Sequence, residues 1–166
     1  MQSTRKNHVW GVDFIFDRAA DRRPIEMLVV LDEYTRENIA LEVSRKLKSR
    51  DVIMELEELT AMRGASENIR SDNRSEFITN VIKEWCKESG IKKLYKETGA
   101  PWQNGIFESF NSKLRAELLS NEIFTALTEA QLLYARWRRG YNHRGPQRAL
   151  GKQALAEYAA KFEVSA

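Results

Sequence analysis

Hydrophobic positions in the first quarter of the chain recur with a period of two. Val9 to Phe16 (VWGVDFIF) is dense in β-branched and aromatic side chains and predicts a strand, as does Glu26 to Leu31. A polar break, DEYTREN, leads into IALEV, so three strands open the chain in meander order, joined by two hairpin-like turns. From Ser49 the period changes. A serine suited to capping precedes Val52, Leu56 and Leu59, which fall on one helical face, and Gly64 stops the helix. A short strand over Asn68 to Ser71 follows, then a helix over Ser75 to Ser89 with Phe77, Val81, Ile82 and Trp85 inward and Gly90 as its stop. After the strand IKKLY, Lys96 to Gln103 predicts a loop, holding one Gly and one Pro. Asn104 to Ser120 is then helical, with Phe107, Phe110, Leu114 and Leu118 on one face, and a last helix covers Thr128 to Arg139.

The order βββαβαβαα predicts an α/β fold: a mixed five-stranded sheet flanked by helices. With 166 residues and 42% hydrophobic content, the chain has material for one core, placed over residues 8–166 after an N-terminal tail over residues 1–7. No run of about eighteen apolar residues suits a membrane span, and the opening MQSTRKNHVW lacks a secretory signal, so a cytoplasmic location is expected.

Charge and cysteine usage narrow the chemistry. The single Cys86 excludes an internal disulfide and a cysteine-based zinc site, and in VIKEWC it reads as a buried, inert thiol. His8 and His143 are far apart in sequence, which leaves metal chemistry to carboxylates. Residues 26–67 hold ten acidic and six basic side chains, whereas residues 92–152 hold eleven basic and five acidic. The second half therefore carries the positive field, a footprint of nucleic-acid binding that solvated helix faces also produce.

Three carboxylates stand out, and each has a bland alternative. Asp13 interrupts an apolar strand on the face of Val9, Gly11 and Ile15, where an ionised group needs a cation or hydrogen bonds; alone, it could be a strand-edge aspartate facing water. Asp72 follows a strand and precedes a helix, a place where α/β sheets put functional groups and where turns also favour Asp. Glu108 sits one turn into a helix, on a polar face continuing through Ser112 and Arg115; most such glutamates are solvated. Asp32, Glu33 and Glu76 are accounted for by hairpin-turn and first-turn positions.

The interval decides between these readings. Thirty-five residues, holding one helix, one strand and one loop, separate Asp72 from Glu108. Asp13, Asp72, Glu108 and Arg115 match the signature of the DDE transposase and retroviral integrase family, which the chain resembles. WGVDFIFD, VVLDEYTRE, IRSDNRSEF, GAPWQNGIFESFNSKLRAELL and RRGYN are similar to blocks of second-reading-frame (OrfB) transposases of bacterial insertion sequences.

The resemblance implies a ribonuclease H-like fold and a DNA transposase core. Its activity would be metal-dependent phosphodiester cleavage and strand transfer. Asp13, Asp72 and Glu108 would be the catalytic metal ligands, holding two Mg²⁺ or Mn²⁺ ions about 4 Å apart, with Asp13 the bridging ligand. Gln103, Asn104, Asn111, Lys113 and Arg115 lie beside Glu108 and are assigned to DNA contacts. Mobile-element ends and target DNA are the implied partners, in a homo-oligomer. Trp102 could stack on a base or anchor the core, and Arg136, Arg138, Arg139, Arg144 and Arg148 could track a DNA backbone or merely solvate the last helix and tail.

Some blocks depart from the family pattern. Asp72-Asn73-Arg74 stands where Asp-Asn-Gly is usual; were φ positive there, Arg would cost on the order of 1 kcal/mol relative to Gly. Gly145-Pro146-Gln147 and Ala154-Leu155 also differ from the usual tail. The helix-turn-helix region usual upstream is missing, so recognition of element ends is expected to lie outside this polypeptide. Two alternatives follow: an inactive remnant that only binds DNA or self-associates, and a hydrolytic nuclease of the same fold.

Overall fold

β1 (Val9–Arg18), β2 (Pro24–Asp32) and β3 (Asn38–Ser44) form an antiparallel meander. In this computed structural model residues 1–71, 76–95, 101–119 and 126–143 are described. β4 (Asn68–Ser71) runs parallel to β1 and β5 (Lys92–Tyr95) parallel to β4, giving the order β3-β2-β1-β4-β5. The expected mixed five-stranded sheet is therefore present. β1 lies at its centre, and nearly every residue from Val9 to Ile15 is buried.

Alternation along β1 divides the core in two, because successive side chains leave a strand on opposite faces. Trp10, Val12 and Phe14 join Leu28, Val30 and Ile69 on one face. That face is covered by α1 (Ser49–Arg63) through Val52, Leu56 and Leu59, and by α2 (Glu76–Ser89) through Ile82, Trp85 and Cys86. The opposite face gathers Ile15, Met27, Val29 and Leu31 under α3 (Pro101–Leu114), a π-helical turn over Arg115–Leu119, and α4 (Leu127–His143). Each fully buried Leu or Val stabilises the fold by about 2 kcal/mol relative to exposure.

Local boundaries differ from the sequence reading in two instructive places. α1 is capped not by Ser49 but at Lys48, whose backbone N–H donates to Asp51 Oδ2 at 2.9 Å, so the carboxylate satisfies an otherwise unpaired first-turn donor. α3 starts at Pro101, not at Asn104, which corrects the loop expected through Gln103. Proline suits a helix start because its missing N–H would have had no partner there.

α4 is tied to the edge strand β3. Asn142 accepts from the Asn38 backbone N–H through Oδ1 and donates to the Asn38 carbonyl through Nδ2, both at 2.9 Å, and Gln131 Nε2 donates to Val43 O at 3.0 Å. Arg138 Nη1 donates to the same Asn38 carbonyl at 2.9 Å. Arg138 thus belongs to the α4–β3 seam rather than to a solvated cationic row; Arg136 and Arg139 are exposed, and Arg144 and Arg148 lie outside the described residues.

Candidate active site

Asp13 stands in the middle of β1 on the face covered by α3 and α4. Its carboxylate is partly buried, and Oδ1 accepts the Phe14 backbone N–H at 2.9 Å, its single hydrogen bond among the described residues. The parallel register pairs Gly11 with Arg70 and, as its last pair, Val12 with Ser71. The next residues along the two strands are Asp13 and Asp72; Asp72 itself lies outside the described residues, as does Arg74.

α3 is held over this face by two contacts that the sequence explains. Gly11 leaves the space that Phe107 fills: a Cβ at Gly11 would lie 2.6 Å from Phe107 Cε2. Further along α3, the buried Phe110 meets Trp137 and Tyr141 of α4 edge-to-face, with centroids at 5.4 and 5.2 Å. Glu108 follows Phe107 directly and is exposed. The helix therefore seats an aromatic ring on β1 two residues from Asp13, and the exposed Glu108 is the next residue along it.

The other sequence-assigned positions lie on the same helix and its extension. Asn111 is half-buried, and its Oδ1 is buried without a hydrogen-bond partner among the described residues. Lys113 is half-buried with Nζ over the Tyr141 ring, 5.8 Å from its centroid. Arg115 is exposed and opens the π-helical turn. Gln103 and Asn104 belong to the first turns of α3, but their side chains, like that of Trp102, lie outside the described residues.

Two buried groups on this face escaped the sequence reading. Asp32 does behave as a turn residue, since Oδ1 accepts the Tyr34 and Thr35 N–H groups at 2.9 and 3.2 Å; Arg63 Nη2 adds an ion pair to Oδ2 at 3.1 Å. Glu33 does not: it is buried, and its Oε2 pairs with Arg70 Nη1 at 2.7 Å, both side chains 2% exposed. Burial pushes the Glu33 carboxyl up to about 7, a rise that Arg70 opposes and Asp32 assists. The second is Tyr134 of α4, whose hydroxyl is held well above its ordinary range by burial and by the Asp17 carboxylate, against an opposing pull from Arg115. Cys86, on the other face, is buried as expected, and burial raises its thiol to about 11.

Residues 3–101 match a family model described as integrase core domain, and residues 89–154 match a second model of the same description. The chain belongs to the integrase core domain family. An uncharacterized 39.2 kDa protein of insertion element IS476 from Xanthomonas euvesicatoria is 36% identical over 99% of this integrase core and 47% of that protein. A 31.7 kDa protein of IS407 from Burkholderia multivorans is 33% identical over 96% of the core and 58% of that protein. The transposase of IS629 from Shigella sonnei is 23% identical over 97% of the core and 54% of that protein. The core thus spans about half the length of the curated relatives it matches.

Solved structures agree on the fold. The catalytic core domain of BIV integrase superposes with a TM-score of 0.68 at 18% identity, covering 96% of this chain and 97% of that one. The HTLV-2 integrase catalytic core, solved in complex with magnesium in a dimeric form, gives 0.60 at 16% identity, covering 95% and 99%. The integrase core therefore has the ribonuclease H-like fold of retroviral integrase catalytic cores, and proteins of insertion elements are its sequence relatives.

The donor set can be weighed against a divalent cation. Among the described residues, which do not include Asp72, no three His, Cys, Asp or Glu side chains converge as a metal site. The described residues offer the Asp13 oxygen that the Phe14 N–H does not engage and the exposed carboxylate of Glu108, both hard oxygen donors. That chemistry fits Mg²⁺ or Mn²⁺ and not a soft, thiolate-seeking metal. No helix among the described residues is long and apolar enough to cross a membrane.

Proposed function

We propose that this integrase core is the catalytic domain of an insertion-sequence DNA transposase, a polynucleotidyl transferase whose Asp13, Asp72 and Glu108 hold two divalent cations. The observation that carries the reading is the seating of Phe107 over Gly11. Phe107 is the residue before Glu108 and Gly11 lies two residues before Asp13, while the β1–β4 register ends one residue before Asp13 and Asp72, which supports a shared site for the three.

Bound Mg²⁺ or Mn²⁺ would activate water or a 3′ hydroxyl and stabilise the leaving oxygen of a phosphodiester. The chain's residues supply the frame. The Phe14 N–H fixes one oxygen of Asp13, leaving the other for a ligand. Glu108 reaches solvent, where a DNA strand would lie. Arg115 offers a planar guanidinium for bidentate phosphate contact, and Lys113 and Asn111 flank it on the same helical segment. Gln103 and Asn104, near the start of α3, complete the DNA-contact set. Element ends and target DNA are the substrates, and the assembly is a homo-oligomer.

The reading is tested by incubating the protein with insertion-end DNA and Mn²⁺ or Mg²⁺ beside an Asp72→Asn control. Joined products absent from the control establish transfer. Cleavage without joining supports a hydrolytic nuclease. Neither product in either sample supports an inactive remnant, the reading motivated by Arg74 in place of the family's usual glycine.

A further inference from the structure

The α3-covered face contains a buried charge pair that the proposed chemistry does not use. Among the described residues Arg70 is the one Lys or Arg side chain in the buried set. It stands on β4 directly opposite Gly11 and two residues before Asp72, so by strand alternation its side chain leaves the sheet on the face of Gly11 and Asp13. Its guanidinium pairs with Glu33 Oε2 at 2.7 Å through Nη1 and donates to the Met1 carbonyl through Nη2.

Glu33 also reaches the point where α3 meets the sheet. A Cβ built on Gly11 would lie 3.4 Å from Glu33 Oε1 and 3.0 Å from Phe107 Cζ. The carboxylate and the aromatic ring therefore lie side by side over Gly11, and the next residue on α3 is Glu108. One ion pair thus links the strand that leads into Asp72 to the Gly11 position of the strand that bears Asp13, where the Phe107 ring of α3 also rests.

We propose that the Glu33–Arg70 ion pair is the positioning element of the acidic site: it sets α3 against β1 at Gly11 and so fixes Glu108 relative to Asp13. Glu33 and Arg70 act through these residues and need touch neither metal nor DNA. A buried pair is poor evidence of stabilisation, since matched apolar side chains often replace one at no loss; its contribution would be geometric. Groups that orient the ligands of a site typically change its metal affinity about 10-fold to 100-fold when removed.

The test compares wild-type protein with Glu33→Met/Arg70→Met, which fills the space without charge, and with Glu33→Gln, which keeps the shape. Three quantities are read at pH 8: thermal midpoint, amide hydrogen exchange over residues 105–110 in metal-free protein, and Mn²⁺ affinity by calorimetry. In the double variant the midpoint stays within a few degrees, exchange over that turn speeds up about tenfold or more, and Mn²⁺ binding weakens about tenfold or more. Unchanged exchange and unchanged Mn²⁺ affinity in a folded variant would overturn the proposal. Should the double variant not fold, Glu33→Gln is judged by the same exchange measurement. The Mn²⁺ arm rests on the metal-site reading, but the exchange arm does not. Wild-type protein that takes up no Mn²⁺ would count against that reading, and the exchange result would still decide this one.

Discussion

The two faces of the sheet are built from alternate residues of the same strands and have been put to different use. Trp10, Val12 and Phe14 enter an apolar layer closed by α1 and α2, whose one reactive group, Cys86, is made inert by burial. Gly11, Asp13 and Asp17 point the other way, toward α3 and α4, where Glu33, Arg70 and Tyr134 are buried and Glu108 meets solvent. A polar group in a core costs free energy unless it is paired, so the second face has to satisfy its charges one by one. One face holds the fold, and the other carries ionisable groups that the first supports.

The sharpest break in that comparison pairs one substitution from each face. Asp13→Asn is expected to abolish DNA joining by on the order of 10³-fold or more while leaving the thermal midpoint near wild type, because it removes a charge and no packing. Leu56→Ala, beneath α1, is expected to cost about 2–5 kcal/mol in denaturant unfolding yet leave joining intact per folded molecule. Comparable loss of both properties in both variants would erase the division.

Gly11→Ala tests where the faces meet the helices. Its methyl would collide with the Phe107 ring at 2.6 Å, so the ring and the turn bearing Glu108 must shift. A loss of about 1–3 kcal/mol is expected, with joining reduced more than stability predicts. Wild-type stability and joining in this variant would show that α3 is not seated by that contact.

A smaller effect is expected from pH. Burial raises the Glu33 carboxyl from an ordinary 4.5 to about 7, so the folded chain holds this proton more tightly than the unfolded chain. The associated stabilisation is complete below about 4.5 and is lost as pH rises through about 7. The stability difference between wild type and Glu33→Gln should therefore shift against wild type over that window, by about 3 kcal/mol at most. Parallel pH profiles for the two proteins would contradict this environment for Glu33.

Arg115→Ala is expected to have the mildest consequence: uniformly weaker DNA binding and a salt slope smaller by about 1, as for one lost phosphate contact. An unchanged slope would remove Arg115 from the DNA-contact set.

Much of this division was legible in the sequence, because period-two and helical patterns report which side chains are buried. Val52, Leu56 and Leu59 on α1, and Phe107, Phe110, Leu114 and Leu118 along α3 and its π-helical extension, are buried as their spacing predicted. Asp13 was legible as an irregularity in its strand and Glu108 only through its thirty-five-residue interval from Asp72, and the structure brings the elements of Asp13 and Glu108 together through Phe107 and Gly11. Glu33 was not legible. It follows a turn aspartate and looks like one, while the partner that draws it into the core is 37 residues away along the chain. Pairing at that range leaves no periodic trace. The same holds for Arg138, which its basic neighbours made look like part of a DNA-tracking row, until Asn38 on the far edge strand claimed it.

The central claim is that the carboxylates of the α3-covered face form a divalent-metal site. Mn²⁺ binding followed by electron paramagnetic resonance, in wild-type protein and in Asp13→Asn, tests it most directly. The account predicts up to two bound ions per wild-type chain and loss of at least one in the variant with the fold intact; equal Mn²⁺ uptake by both proteins would contradict it.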